Sequence, residues 1–245
     1  IAKAYALREE GISAWCYTGS YRLPPVTVTG DLMKDIMLIE PVIGAGELAV
    51  SDHRSSRPTD VELAQAAAQA RVGGMLAGKA GVVNAHLGDA PDGLSPLERI
   101  CAAGDLPRTQ FLPTHCNRNP RLLEQAMAWA RAGGWVDFTA STVPAFLEDG
   151  ETSAAAAVAR IKAEGCLGRA TVTSDGQGSL PRFDAAGAIA GLDVGSCASL
   201  LGYLREAVRE RGLSLEEALA PITANPAEAL GLRSKGRLAV GMDAD

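Results

Sequence analysis

The stretch Thr109 to Ser141, TQFLPTHCNRNPRLLEQAMAWARAGGWVDFTAS, contains a strand, a helix and a second strand in one pass. Thr109 to His115 (TQFLPTH) is a short apolar run closed by polar residues, as in a strand buried on both faces. Asn119 followed by Pro120 is a helix start: asparagine caps free backbone N–H groups, and proline fits the first helical position. RLLEQAMAWARAGG continues as helix until Gly133 and Gly134 stop it, and Trp135 to Ser141 (WVDFTAS) reads as the next strand. A helix between two strands lets the second run parallel to the first.

The same alternation extends in both directions. Ile12 to Tyr17 (ISAWCY), Gly46 to Asp52 (GELAVSD, after a turn-like IGAG), Gly81 to His86 (GVVNAH) and Arg169 to Asp175 (RATVTSD) read as further strands. Helices are expected over Ile1 to Glu10, from Asp60 through VELAQAAAQARVGGMLAG, and from Ser95-Pro96 through PLERICAAG. Thr152 to Glu164, Ser199 to Arg211 and Leu215 to Ala220 complete the helical series. Strands recurring at intervals of roughly 25 to 40 residues predict parallel βαβ units. The expected fold is α/β, a (β/α)8 barrel that shows six strands and lacks its first two. An open doubly wound sheet is the alternative, but no G-x-G-x-x-G follows any strand.

Bulk properties narrow the class. With 245 residues and 47% hydrophobic content the chain suits one large domain, with no low-complexity linker and no sharp internal boundary. A formal net charge of −6 and a pI near 5.2 argue against nucleic acid or an anionic membrane as partner. No long uncharged apolar run is present to span a bilayer. The five cysteines are scattered without a C-x-x-C pair, which suits a reducing cytoplasm, each cysteine reading as a small buried apolar residue. The first residue is Ile1, already in helical sequence, and no signal peptide precedes it, so the chain reads as a piece of a longer protein.

In α/β barrels, chemistry collects at the carboxyl ends of the strands. Those ends carry SDHR (Ser51 to Arg54), AHLGD (Ala85 to Asp89), PTHCNRN (Pro113 to Asn119) and TSDGQGS (Thr173 to Ser179). All three histidines of the chain, His53, His86 and His115, lie there. Histidines and carboxylates from separate strands are how a barrel assembles a zinc site with a position left for water. His86 and His115 are the candidate ligands, while His53, beside Arg54, suits a hydrogen-bonded supporting role as well as ligation. Asp175 is expected to emerge at the barrel mouth, or else to cap a helix before GQGS. Glu47 lies among apolar neighbours in a strand, where a carboxylate needs a partner or a cation, unless that strand starts later.

The stretches REEGISAWCYTGSYRLP, SDHR, FLPTHCNRN and TSDGQGS resemble the isoaspartyl (β-aspartyl) dipeptidases of the amidohydrolase superfamily, and the resemblance runs over nearly all of the chain. It implies a binuclear zinc site, two Zn2+ per complete subunit, at the mouth of a distorted barrel. The family's bridging ligand is commonly a carboxylated lysine; Glu47 stands in the matching place, and its carboxylate can bridge two cations as a carbamate does. By the same resemblance His86 and His115 bind one metal, and Asp175 binds the other and handles the proton of the attacking water. Tyr21 polarises the scissile carbonyl, and Arg54, Arg118 and Ser179 hold the substrate carboxylates. The implied reaction is hydrolysis of a small β-aspartyl dipeptide by a metal-bound hydroxide, in a metalloprotease expected to form a homo-oligomer.

The family's H-x-H pair and the glycine-rich loop with a glutamate after it have no counterpart in this sequence. KGRLAVGMDAD (Lys235 to Asp245) looks like the run by which superfamily members re-enter a small β-sandwich. Residues 1–235 are therefore expected to be a partial hydrolase barrel, 236–245 the start of that segment, and residues 1–245 alone to be inactive. Two alternatives remain: another amidohydrolase, such as a cyclic amidase or N-acyl-amino-acid deacylase, and a metal-free barrel serving as a non-catalytic subunit.

Overall fold

The computed structural model describes residues 1–243. Helix α1 (Ala2–Glu9) leads to strand β1 (Cys16–Thr18), α2 (Leu32–Leu38), β2 (Val42–Val50) and α3 (Asp60–Ala77). There follow β3 (Val82–Leu87), α4 (Ser95–Ala102), β4 (Phe111–Thr114), α5 (Pro120–Arg131), β5 (Val136–Thr139), α6 (Pro144–Glu148) and α7 (Ala154–Ala163). The remainder comprises β6 (Ala170–Thr173), β7 (Ser179–Phe183), β8 (Ile189–Val194), α8 (Ser199–Arg209), α9 (Leu215–Leu219) and α10 (Ala224–Ala229). The expected α/β alternation is there, and the six expected strands are β1 to β6. No helix among the described residues is long and apolar enough to cross a membrane.

Strands β1 to β4 form one parallel sheet in sequence order, and β5 and β6 a second parallel pair. Both faces of these strands are covered. Leu48, Val83, Ala85, Phe111, Val136, Phe138 and Val172 are buried with Leu63, Leu97, Leu122, Met127, Trp129 and Ile161 of the helices in one core. Helix α5 starts as the sequence predicts, with the Asn119 side chain accepting from Leu122 N at 2.9 Å.

Between β4 and β5 the ladder is interrupted, and a carboxylate bridges the gap. The Cys116 N–H donates to the Asp137 carbonyl at 3.0 Å. The Asp137 side chain accepts the hydroxyls of Thr114 at 2.6 Å and of Thr171 and Thr173 at 2.7 Å each. Three strands are thereby tied through one buried aspartate, whose pKa burial raises against the pull of those hydroxyls and of nearby His115.

Several expectations are corrected. The first strand begins at Cys16 rather than Ile12. IGAG is no turn but the first half of β2, where glycine permits close approach: a Cβ on Gly44 would lie 2.4 Å from the Val82 carbonyl oxygen. Helix α3 does begin at Asp60 as expected, with Thr59 as its cap in a capping box with Glu62. The short helices α2, α6 and α10 and the antiparallel hairpin β7–β8 were not expected. All five cysteines are free as anticipated, but only Cys116 is buried; Cys16, Cys101 and Cys166 are partly buried and Cys197 is exposed. Residues 236–243 run without helix or strand, and the end of the expected sandwich-entry segment, 244 and 245, lies outside the described residues.

Candidate active site

Glu47 owes its position to a bulge. Ala45 of β2 pairs with Val83 of β3, but the next partners are Leu48 and Ala85, so β2 carries one extra residue at Gly46–Glu47. A bulge re-aims a side chain that regular pleating would direct elsewhere. A Cβ on Gly46 would approach the Asn84 carbonyl oxygen to 2.8 Å, so only glycine lets β2 lie this close to β3. The alternative of a later strand start with Glu47 in a solvated loop is thereby excluded.

The bulge brings the Glu47 carboxylate to two imidazoles at neighbouring strand ends. Glu47 Oε1 lies 3.1 Å from His86 Nδ1 and 3.5 Å from His115 Nε2. The second nitrogen of each ring is engaged elsewhere: His115 Nδ1 with the Thr139 hydroxyl at 2.6 Å, His86 Nε2 with Asp52 Oδ2 at 3.1 Å and Arg54 Nη2 at 2.7 Å. The two rings meet edge to face with centroids 4.5 Å apart. The Tyr21 ring packs on His86 at 4.8 Å, and the Arg54 guanidinium lies 5.0 Å from the Tyr21 ring centroid. The loop bearing Tyr21 is pinned by Ala49 N donating to the Tyr21 carbonyl at 2.9 Å.

One carboxylate oxygen and two imidazole nitrogens, all within 4.8 Å of one another, form the one such metal-compatible cluster among the described residues. Donors about 2.1 Å from a tetrahedral zinc stand roughly 3.4 Å apart. The two separations from Glu47, 3.1 and 3.5 Å, bracket that spacing, and the donor types suit such an ion.

The charges are strongly coupled. Burial is the largest influence on Glu47 and favours its neutral form, but the hydrogen bonds and charge of His115 and His86 outweigh it and bring its pKa down to about 2. Asp52 is likewise held low: burial opposes ionisation, while hydrogen bonds and charge from Arg54, with His86, overcome it. Tyr21 is raised, first by burial and then by Glu47, with Arg54 opposing and Asp175 and Asp52 adding to the rise. Its hydroxyl is therefore protonated at neutral pH and available as a donor.

The other expected residues are less tightly gathered. Asp175 is exposed just past β6 and is not among the three clustered donors, although its charge reaches Tyr21. No helix follows it, so the capping alternative is excluded; the hairpin begins at Ser179, itself exposed. Arg118 is half-buried with Nη1 3.8 Å from Asp89 Oδ2. His53 points outward, its side chain 85% exposed with Nδ1 3.5 Å from Asp52 Oδ1. The buried group beside His86 is Asp52, which sequence reasoning passed over in favour of its two conspicuous neighbours.

Ser51, His115 and Asp175, each just beyond a strand, have φ values of 54°, 63° and 49°. Such left-handed backbone outside glycine is uncommon and gathers at functional sites.

Parallel strands and helices thus bring histidines and a carboxylate together at the strand ends. The model of the amidohydrolase family matches residues 144–245. Over its whole length the chain is similar to the β-aspartyl dipeptidase of the thermophilic keratin degrader Fervidobacterium islandicum AW-1, solved in complex with the β-Asp-Leu dipeptide. Identity is 45%, the TM-score 0.90, and 62% of that chain is covered. A second structure of the F. islandicum β-aspartyl dipeptidase matches over the whole chain at 42% identity and a TM-score of 0.88, with 61% of it covered. The phosphotriesterase homology protein of Escherichia coli, 18% identical over 91% of this chain and 77% of its own with a TM-score of 0.60, shares the fold. The chain thus spans about three fifths of the dipeptidases it matches. The resemblance to isoaspartyl dipeptidases of the amidohydrolase superfamily is borne out in both sequence and structure.

Proposed function

We propose that the protein hydrolyses β-aspartyl dipeptides with zinc held by Glu47, His86 and His115. The carrying observation is the convergence of these three side chains with Tyr21 and Arg54 beside them, in a chain 45% identical to a dipeptidase solved with β-Asp-Leu. Residues 1–235 are read as part of a (β/α)8 barrel of the amidohydrolase kind and 236–245 as the start of the run toward a β-sandwich. Two zinc ions per complete subunit are proposed; Glu47 would contribute to holding both, and Asp175 would be a ligand of the second. Bound zinc supplies Lewis acidity, lowering the pKa of water and polarising the amide carbonyl.

The chain's own residues account for recognition and proton movement. A β-aspartyl dipeptide carries one carboxylate on isoaspartate and one at its C-terminus. Arg54 and Arg118 grip them through charge-assisted, fork-shaped hydrogen bonds, with the Ser179 hydroxyl as a further donor. The Tyr21 hydroxyl, kept protonated by its surroundings, donates to the carbonyl oxygen as negative charge builds. The Asp175 carboxylate takes a proton from the attacking water and delivers it to the leaving nitrogen as the C–N bond breaks. A small dipeptide is thus the proposed substrate, a homo-oligomer the proposed assembly and the cytoplasm the proposed location.

The test is a side-by-side assay of the full-length protein on β-Asp-Leu, Asp-Leu and a cyclic ureide. Preference for β-Asp-Leu supports the proposal. Preference for the ureide indicates a cyclic amidase, and absence of both turnover and bound zinc indicates a non-catalytic subunit.

A further inference from the structure

We propose that Asp52 is a positioning residue that couples metal binding to substrate recognition, an inference that rests on the ligand role of His86 and the clamp role of Arg54 put forward above. Its side chain is 2% exposed, and three N–H groups and one imidazole nitrogen converge on it. Oδ1 accepts from Arg54 N at 2.7 Å and Arg54 Nε at 3.0 Å; Oδ2 accepts from Arg54 Nη2 at 3.0 Å and faces His86 Nε2 at 3.1 Å. One carboxylate therefore holds both the imidazole proposed to bind zinc and the guanidinium proposed to bind substrate. The packing is built for it: a Cβ on Gly88 would lie 2.5 Å from Asp52 Cα and 2.6 Å from its Oδ2.

The tautomer of His86 is the link. Its Nε2 stands 2.7 Å from Arg54 Nη2 and 3.1 Å from Asp52 Oδ2, and a single ring nitrogen can accept from the first or donate to the second, not both. Nδ1 faces Glu47 and must be free of a proton to bind zinc. Zinc therefore requires the Nε2–H tautomer, which donates to Asp52 and gives Arg54 Nη2 no acceptor on the ring. Arg54 remains fastened to Asp52 through its backbone N, Nε and one N–H of Nη2, and the second N–H of Nη2 is left for a substrate carboxylate. Hydrogen-bonded partners of this kind typically change metal affinity by 10–100-fold.

Asp52→Asn separates positioning from a merely structural role because it is nearly isosteric. With one oxygen occupied by Arg54, its amide N–H groups face His86 Nε2 and favour the tautomer that cannot bind zinc. In the full-length protein we expect folding as judged by circular dichroism and thermal unfolding, zinc bound about 10–100-fold more weakly in a chelator competition, and a raised KM for β-Asp-Leu at saturating zinc. Should Asp52→Asn not fold, Gly88→Ala, which displaces Asp52 while retaining its charge, must show the same loss of zinc affinity. Zinc affinity within twofold of the parent in the folded variant overturns the proposal. His86→Ala distinguishes the two levels: if it loses zinc and Asp52→Asn does not, the positioning role alone fails. If His86→Ala binds zinc like the parent, the ligand assignment fails with it.

Discussion

Glu47 Oε1 stands 3.1 Å from His86 Nδ1 because β2 takes one more residue than β3 to cover the same distance. Glutamate here meets a strand-end imidazole directly, without the long stem of a modified lysine. A carboxylated lysine needs carbon dioxide to form, and a glutamate does not. Reconstituting the metal-free full-length protein with zinc should therefore give the same activity with and without bicarbonate; a clear bicarbonate requirement would mean that Glu47 is not the bridge.

Arg118→Ala should weaken transition-state binding by roughly 2–4 kcal/mol, because a substrate carboxylate is left unpaired in a partly desolvated site. Bound zinc should hardly change, since arginine is no ligand. A fall in kcat/KM of less than tenfold would be incompatible with the clamp role.

Much of this site was legible in the sequence. His86 and His115 end apolar runs that could only be buried strands, and polar residues at such ends are conspicuous. Glu47 stood out because a carboxylate among apolar residues needs a partner. Less visible was whatever depends on three-dimensional fit. Glycines of IGAG look like a turn when read alone, yet they serve the approach of β2 to β3. The hairpin β7–β8 is largely exposed, so no buried apolar alternation marks it. Asp52 is one ordinary aspartate in SDHR until its burial is known, and Asp137 is recognisable only once Thr114, Thr171 and Thr173 surround it.

Asp35 gives a pH prediction outside the metal cluster. Its buried carboxylate accepts from Thr18 Oγ1 at 2.5 Å, Val28 N at 2.9 Å, and Thr29 N and Oγ1 at 2.8 and 2.6 Å, fastening the segment that follows Tyr21. Burial, the largest influence, favours the neutral acid, but these hydrogen bonds prevail and lower its pKa below 3.8. Because the folded value is the lower one, the stabilisation is fully present above the unfolded value and is lost as pH falls through the folded value. Urea midpoints of the parent should exceed those of Asp35→Asn at pH 6, and the gap should narrow as pH falls through the lowered pKa of the folded carboxyl. A gap that widens in acid would reverse the sign of the argument.

Asp137→Ala should lower stability by roughly 2–4 kcal/mol, since the buried hydroxyls of Thr114 and Thr171 and the exposed Thr173 lose an acceptor and a small void opens where the ladder is already interrupted. Denaturant unfolding measures this directly. A loss below about 1 kcal/mol would show that the three-strand tie contributes little beyond ordinary packing.

The central claim is tested most directly by titrating zinc into the metal-free full-length protein while following cleavage of β-Asp-Leu. Activity should be absent at the start, rise in proportion to bound zinc and saturate near two ions per subunit, a stoichiometry set by a bridging Glu47. Full activity before zinc is added, or none at saturation, would contradict the account.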